Sequence, residues 1–340
     1  MKIKSVHTLG GGEILAEPLL TKEKEILIPK GTTLKKEYLP LLSSIEMKSV
    51  AVEDPYEKFE NPNAIADQKQ IERLVDLVQS LMEKHIYHDH KSLRGFEMIA
   101  NEIVKNMCEE GERKIYDLDE RETNLYEHTV YVTILSIKAA LQLQLEKENL
   151  YGIALGCLLH DIGLRYITAD YKNCNWRDHS SEEVFDIKKH TILGYSALDE
   201  ENWIPEISKK MVLSHHERND GSGFPMRRKY RETECKLIQV CDSLDCMLSG
   251  MECIRTPVWD ALDFLREEAG RKYEKKVVDV ILSMIARYPV GTRVKLNVEE
   301  TGVVVQQTDD PQRPVVMIPD DKMKKYNLKL EKDISILAII

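Results

Sequence analysis

The sequence has little aromatic bulk to build with: five Phe and three Trp in 340 residues. A core made from it must be aliphatic, with methionine filling gaps. No run approaches the ~18 apolar residues needed to span a bilayer. The start, Met1-Lys2-Ile3-Lys4, passes into polar sequence without an apolar signal core, so a cytoplasmic protein is expected. Basic charge is also short. Lys and Arg number 48 against 58 Asp and Glu, a formal net charge of -10. That balance opposes non-specific binding to nucleic acid or anionic membrane, so neither DNA nor membrane is an expected partner. A small anionic substrate would need a metal or a few placed arginines. The densest basic run, Arg227-Arg228-Lys229-Tyr230-Arg231, reads as a solvated loop.

The seven cysteines are odd in number and none forms a CxxC pair; they read as reduced thiols. There is no GxSxG, no P-loop, and no cysteine with a partnered base, so no side-chain nucleophile stands out. No repeat or low-complexity segment is visible.

What is present divides by pattern. Residues 1–60 read as a small β-rich domain, with a strand at Ile26–Ile28 closed by Pro29-Lys30-Gly31, a helix from Leu39 to Ile45 and a strand at Lys48–Val52. The polar run 54–63, with two prolines, is the expected linker. Residues 61–117 are linker and helices, in which Ile71, Leu74, Leu77, Leu81, Ile99, Ile103 and Met107 recur at helical spacing. His85, His88 and His90 fall between these runs and read as a solvated loop. Helical signal continues through 118–288, over Tyr126–Leu145, Leu150–Leu159, His190–Leu198, Ile207–His216, Cys235–Leu248 and Val258–Ala286. Residues 289–340 turn to short β-branched runs, predicting a C-terminal β-ribbon or sheet. The fold class expected is mainly α, a helical bundle flanked by these small β elements.

The adjacent pair His160-Asp161 closes an apolar helix, where an ionised aspartate is costly to bury without a partner. A metal ion removes that cost. His128, His190, His215, His216 and Asp242 each lie in or beside an apolar helical segment. His128 shares a helix face with Val132, Leu135 and Ala139. Singly, such a histidine is commonly a satisfied core residue; five, with two aspartates, point to a metal centre. Seven ligands exceed one tetrahedral zinc and suit two octahedral ions sharing a carboxylate. Mixed imidazole and carboxylate ligation favours iron or manganese, with zinc or nickel the alternatives. Two divalent ions ~3.5–4 Å apart can clamp a phosphate ester for in-line attack.

At these residues the sequence resembles the HD-GYP family, a branch of the HD metal-dependent phosphohydrolases. The pieces are Tyr126-Glu127-His128, His160-Asp161-Ile162-Gly163, Lys189-His190 with Gly194, His215-His216-Glu217-Arg218, Asp220-Gly221-Ser222-Gly223-Phe224-Pro225 and Asp242-Ser243-Leu244-Asp245. Their order and spacing fit over roughly 120–260. The tail motifs Tyr288-Pro289-Val290-Gly291-Thr292 and Glu300-Thr301-Gly302 fit as well. The resemblance implies an HD-type helical core hydrolysing cyclic di-GMP, with His160 and Asp161 central to catalysis. It implies that His128, His160, Asp161 and Asp242 hold one ion, and that Asp161 bridges to a second held by His190, His215 and His216. Asp245 is expected as a hydrogen-bond partner.

The departures concern substrate. The family's lysine after HDIG is Leu164 here, with Arg165 beside it. The GYP tyrosine is Phe224, next to Gly223. Two further basic positions are Met251 and Ile254, the latter followed by Arg255; a glutamate that can add a third ion falls on Asn124. Arg165, Gly223, Phe224 and Arg255 are therefore the candidate substrate contacts. Restoring cations at Leu164 and Met251 is the expected route to a stronger clamp. Three functions follow: a cyclic di-GMP phosphodiesterase with an altered clamp, a weakly active or non-catalytic metal- or nucleotide-binding signalling module, or a phosphohydrolase of another phosphoester. The partners to expect are a cyclic dinucleotide or related phosphoester, with a signalling protein and a homodimer left open.

Overall fold

The computed structural model describes residues 2–6, 9–20, 25–45, 49–53, 63–87, 90–110, 115–319 and 324–340. The chain forms two compact units, Met1–Pro62 and Asn63–Ile340. In the first, β1 (Lys2–Ser5) pairs antiparallel with β4 (Ser49–Val52), β2 (Leu19–Leu20) pairs with β3 (Ile26–Ile28), and a short helix, α1 (Leu39–Ser44), completes the unit. Its core is aliphatic, with Leu15, Leu34 and Leu42 fully buried. The expected linker lies outside the described residues, apart from Asn63.

The second unit begins with α2 (Gln68–Ile86), whose N-cap Asp67 accepts from the Gln70 amide at 3.1 Å, and α3 (Gly95–Glu109). His85 is in α2, 4% exposed, its Nε2 3.0 Å from the Tyr166 hydroxyl. The solvated-loop expectation was therefore wrong for His85. His88 lies outside the described residues.

Next come α4 (Leu125–Gln142), α5 (Lys147–Leu159), α6 (Ser181–Lys188), α7 (His190–Leu198), α8 (Glu206–Ser214) and α9 (Thr233–Ser249). The fold is mainly α, as expected. α4 is apolar nearly all round and packs against α2, α3, α5 and α9, which makes it the bundle's interior helix. The helical signal of 258–286 is two helices, α10 (Val258–Glu268) and α11 (Lys275–Met284), parted by a turn at Gly270 with φ +81°. The C-terminal element is a five-stranded antiparallel sheet in the order β8-β7-β6-β5-β9, from β5 (Arg293–Leu296), β6 (Thr301–Gln306), β7 (Val315–Met317), β8 (Lys325–Asn327) and β9 (Ile336–Ile339). Asp117 ties it to the helices by accepting from the Val290 amide at 3.1 Å and Gln307 Nε2 at 2.8 Å.

Candidate metal centre

Three candidate ligands stand at helix ends, and the backbone there orients them. A helix leaves its last carbonyls without partners. His160 follows α5 and its Nδ1 lies 2.6 Å from the Cys157 carbonyl; His190 follows α6 with Nδ1 2.7 Å from the Ile187 carbonyl; His215 follows α8 with Nδ1 2.8 Å from the Val212 carbonyl. Each imidazole donates Nδ1–H to the carbonyl three residues earlier, in the last turn of the preceding helix. That leaves Nε2 as the lone pair aimed inward, the tautomer a metal ligand needs. His128, inside α4, reaches the same state differently: its Nδ1 lies 2.7 Å from Asp245 Oδ2, while Asp245 Oδ1 accepts from Arg121. Asp245 is thus the outer partner expected of it. Asn124 caps α4, its Oδ1 accepting from the Tyr126 and Glu127 amides at 2.9 and 3.2 Å.

The Nε2 atoms converge on Asp161. Its Oδ2 is 3.5 Å from His128 Nε2 and 3.3 Å from His160 Nε2; its Oδ1 is 3.4 Å from both His190 Nε2 and His215 Nε2. Asp242 Oδ1 adds to the first group, 3.3 Å from His128 Nε2 and 3.6 Å from His160 Nε2. His216 joins the second, its ligand atom within 4.8 Å of those of Asp161, His190 and His215. Bonds of ~2.0–2.2 Å to a shared ion subtend ligand–ligand edges of ~2.8–3.6 Å between right and tetrahedral angles. The edges from Asp161 and Asp242 to His128, His160, His190 and His215, 3.3–3.6 Å, fall in that range, so the donor set is compatible with divalent metal binding. The structure brings together all seven residues expected from sequence. His128, His160, His190 and His215 are fully buried, and Asp161, Asp242 and His216 are at most 8% exposed.

Glycines allow this convergence. A Cβ on Gly163 would lie 1.8 Å from the His190 carbonyl oxygen and 2.8 Å from the Gly194 amide nitrogen. Only a glycine lets the turn after Asp161 press against the start of α7 and bring His190 to Asp161. Gly223 plays the same part for the loop after α8, where a Cβ would meet the His216 carbonyl at 2.4 Å. Buried Glu217 holds that loop, accepting from the Met226 amide at 2.6 Å and the Arg228 amide at 3.0 Å. The Phe224-Pro225 peptide is cis. The Phe224 ring stacks on His216 with centroids 4.6 Å apart.

Electrostatics divide the centre. Burial alone lowers the His128 imidazole, but hydrogen-bonded Asp242 and Asp245 outweigh it and raise it to about 9. His160 is likewise raised well above the ordinary range, burial being overcome by Asp161. Burial raises the carboxyls of Asp161 and Asp242, yet the surrounding imidazoles bring both well below the usual carboxylate range. In the other half burial wins: His190 and His216 are pushed down to about 4, and His215 is lowered.

The candidate substrate residues separate. Phe224 and Gly223 are at the centre. Arg165 is committed to Glu83, with Nη2 2.9 Å from Oε2, and Glu83 also accepts from the Tyr126 hydroxyl. Arg255 is half-buried, its amide donating to Asn173 Oδ1 at 2.8 Å, with Glu122 and Glu120 supplying its nearby negative charge. Leu164 and Met251 are 1% and 0% exposed in the apolar core. A cation placed at either position would therefore start from a buried site, where it is costly unless it finds a partner.

Sequence reasoning missed Glu252. It is 5% exposed, with Oε1 3.2 Å from His190 Nδ1 and Oε2 3.1 Å from His216 Nε2. Burial raises its carboxyl to about 7. No residue spacing signals it, since the backbone turns left-handed at Glu252, with φ +54°.

A family model for the HD domain matches residues 125–247. A cyclic di-GMP phosphodiesterase of Pseudomonas aeruginosa is 27% identical over 186 residues, 54% of this chain and 44% of that protein. Another, of Thermotoga maritima, is 30% identical over 168 residues, 48% of this chain and 45% of that protein. The aligned part is thus under half the length of these curated relatives. In fold the chain is similar to Bd1817, an HDG"Y"P protein from Bdellovibrio bacteriovorus, with TM-score 0.51 and 16% identity over 82% of this chain and 97% of that one. No described helix is long and apolar enough to cross a membrane. The histidine and aspartate motifs that converge on Asp161 all lie inside residues 125–247, the segment that the HD-domain model matches.

Proposed function

We propose that this protein is a metal-dependent phosphodiesterase acting on cyclic di-GMP. The observation that carries the reading is the division of Asp161, whose two oxygens each face a different pair of imidazole Nε2 atoms at 3.3–3.5 Å. A buried carboxylate split in this way suits a bridge between two divalent ions, with His128, His160 and Asp242 completing one sphere and His190, His215 and His216 the other. Iron or manganese best fits the mixed donor set. Bound there, such ions supply Lewis-acid activation of a phosphodiester and of the water that attacks it. The chain's own part is to fix the donors. Carbonyls of Cys157, Ile187 and Val212 set three imidazoles, the Arg121–Asp245 pair sets His128, and Phe224 offers a ring face beside His216 for a nucleobase.

The substrate class rests on the relatives, which are named cyclic di-GMP phosphodiesterases. One observation favours a second reading, a weakly active metal- or nucleotide-binding signalling module. Leu164 and Met251 are apolar core residues, and Arg165 is paired with Glu83. At ~1.5–3 kcal/mol per charged contact, two lost phosphate contacts weaken binding roughly a hundredfold or more. Hydrolysis of cyclic di-GMP and of its linear product by manganese- or iron-loaded protein separates these readings. Turnover abolished by Asp161→Asn supports the enzyme. Binding of cyclic di-GMP without turnover supports the module, and hydrolysis of other phosphodiesters alone supports a different substrate.

A further inference from the structure

We infer that Glu252 is a positioning residue of this centre: its buried carboxylate stands beside His190 and His216 and, through those rings, balances the charge of an ion held between them. The inference rests on the two-ion reading above. Gly250 caps the C-terminus of α9, left-handed at φ +71°, and two residues later Glu252 is left-handed as well, at φ +54°, a conformation that residues with a Cβ rarely adopt. The segment is pinned there: the Glu252 amide donates to the Tyr171 carbonyl at 2.7 Å, the Asn173 amide to the Gly250 carbonyl at 2.6 Å, and the Trp176 indole N–H to the Glu252 carbonyl. An unfavourable backbone conformation held by three hydrogen bonds delivers one side chain into the interior.

There the carboxylate, neither of whose oxygens is hydrogen-bonded among the described residues, faces two neutral imidazoles, His190 Nδ1 at 3.2 Å and His216 Nε2 at 3.1 Å. His190 Nδ1 keeps its bond to the Ile187 carbonyl, so Glu252 is a second negative group beside that nitrogen. The charge inventory explains the need. The half around His128 and His160 has Asp161 and Asp242 directly, with Asp245 behind His128. The other half has three imidazoles and one oxygen of Asp161, with Asp242 Oδ2 farther off, 3.8 Å from His216 Nδ1. A divalent ion there would keep most of its charge in a buried place, and Glu252 offsets it through two ligand rings. A carboxylate held this close to two ligand rings raises their basicity through its charge.

The test is ion binding, independent of turnover. Metal-depleted full-length wild type, Glu252→Gln and Glu252→Asp are titrated with Co(II) and Mn(II), following visible absorbance and heat. Wild type should take up two ions per chain. Glu252→Gln should keep one at unchanged affinity and bind the other about 10–100-fold more weakly, with Glu252→Asp between the two. Two ions at wild-type affinity in Glu252→Gln would overturn the inference while leaving the two-ion reading intact. Fewer than two ions in wild type would instead sink that reading, and this inference with it. If neither variant folds without metal by circular dichroism, Glu252 is a structural group and the inference is likewise overturned.

Discussion

Replacing Asp161 by Asn keeps the shape of a 3%-exposed side chain and removes the charge shared by both halves of the centre. The consequence can be sized. An ion present at 100–1,000 times its Kd stabilises the native state by about 2.7–4.1 kcal/mol, so two contribute about 5–8 kcal/mol. Unfolding entropy is ~2.1 cal/mol/K per residue, which over the roughly 280 residues from Asn63 to Ile340 is ~0.6 kcal/mol/K. Manganese should therefore raise the wild-type Tm, relative to chelator, by about 9–14 °C. In Asp161→Asn both subsites lose a charged ligand, and the shift should fall below about a third of that value. Asp279→Asn, on an exposed face of α11 with 53% side-chain exposure, should keep the full shift. Scanning calorimetry with and without chelator reads all three proteins. An undiminished shift in Asp161→Asn, or no shift in wild type, would refute the bridging role.

Gly163→Ala forces a Cβ to within 1.8 Å of the His190 carbonyl; such overpacking costs about 1–3 kcal/mol or more, and the variant should lose both Tm and the metal-induced rise. Leu164→Lys and Met251→Arg bury unpaired cations and should lower Tm by several degrees or prevent soluble expression; soluble variants with tighter cyclic di-GMP binding would contradict their placement in the core. The pH dependence should differ in sign between ion-free and loaded protein. His128, raised to about 9, stabilises the ion-free fold fully below its unfolded value of about 6.5 and loses that contribution as pH rises through 9. His128 and His160 must release their protons to ligate, so ion affinity should climb over the same interval. Calorimetric titration in buffers of different ionisation enthalpy would show that proton release, and its absence between pH 7 and 8 would contradict the assignment.

Much of the centre was legible because three of its histidines obey a local rule. Cys157, Ile187 and Val212 each precede a histidine by three residues at a helix end, so helix prediction and ligand orientation are one problem there. The pattern of apolar faces also placed His128 and Asp242 inward. What escaped depended on tertiary packing. Glu252 is delivered by a left-handed backbone and contacts from 171–176, which no periodicity reports. Leu164 and Met251 stand where the family pattern has basic residues, and their burial in the apolar core is set by packing that the motif spacing does not report. His85 stood in a histidine-rich polar stretch and is nonetheless helical and buried against Tyr166. β8, Lys325-Tyr326-Asn327, lacks β-branched residues and forms by pairing with β7. Gly270 parts α10 from α11, but helical spacing resumes so soon after it that 258–286 reads as one helical signal.

Anomalous diffraction from crystals of the purified protein at the iron and manganese edges tests most directly whether Asp161 bridges two ions. The expected result is two peaks per chain ~3.5–4 Å apart, one beside His128, His160 and Asp242, the other beside His190, His215 and His216, with an Asp161 oxygen on each. A single peak, or two peaks with Asp161 contacting one of them alone, would contradict it.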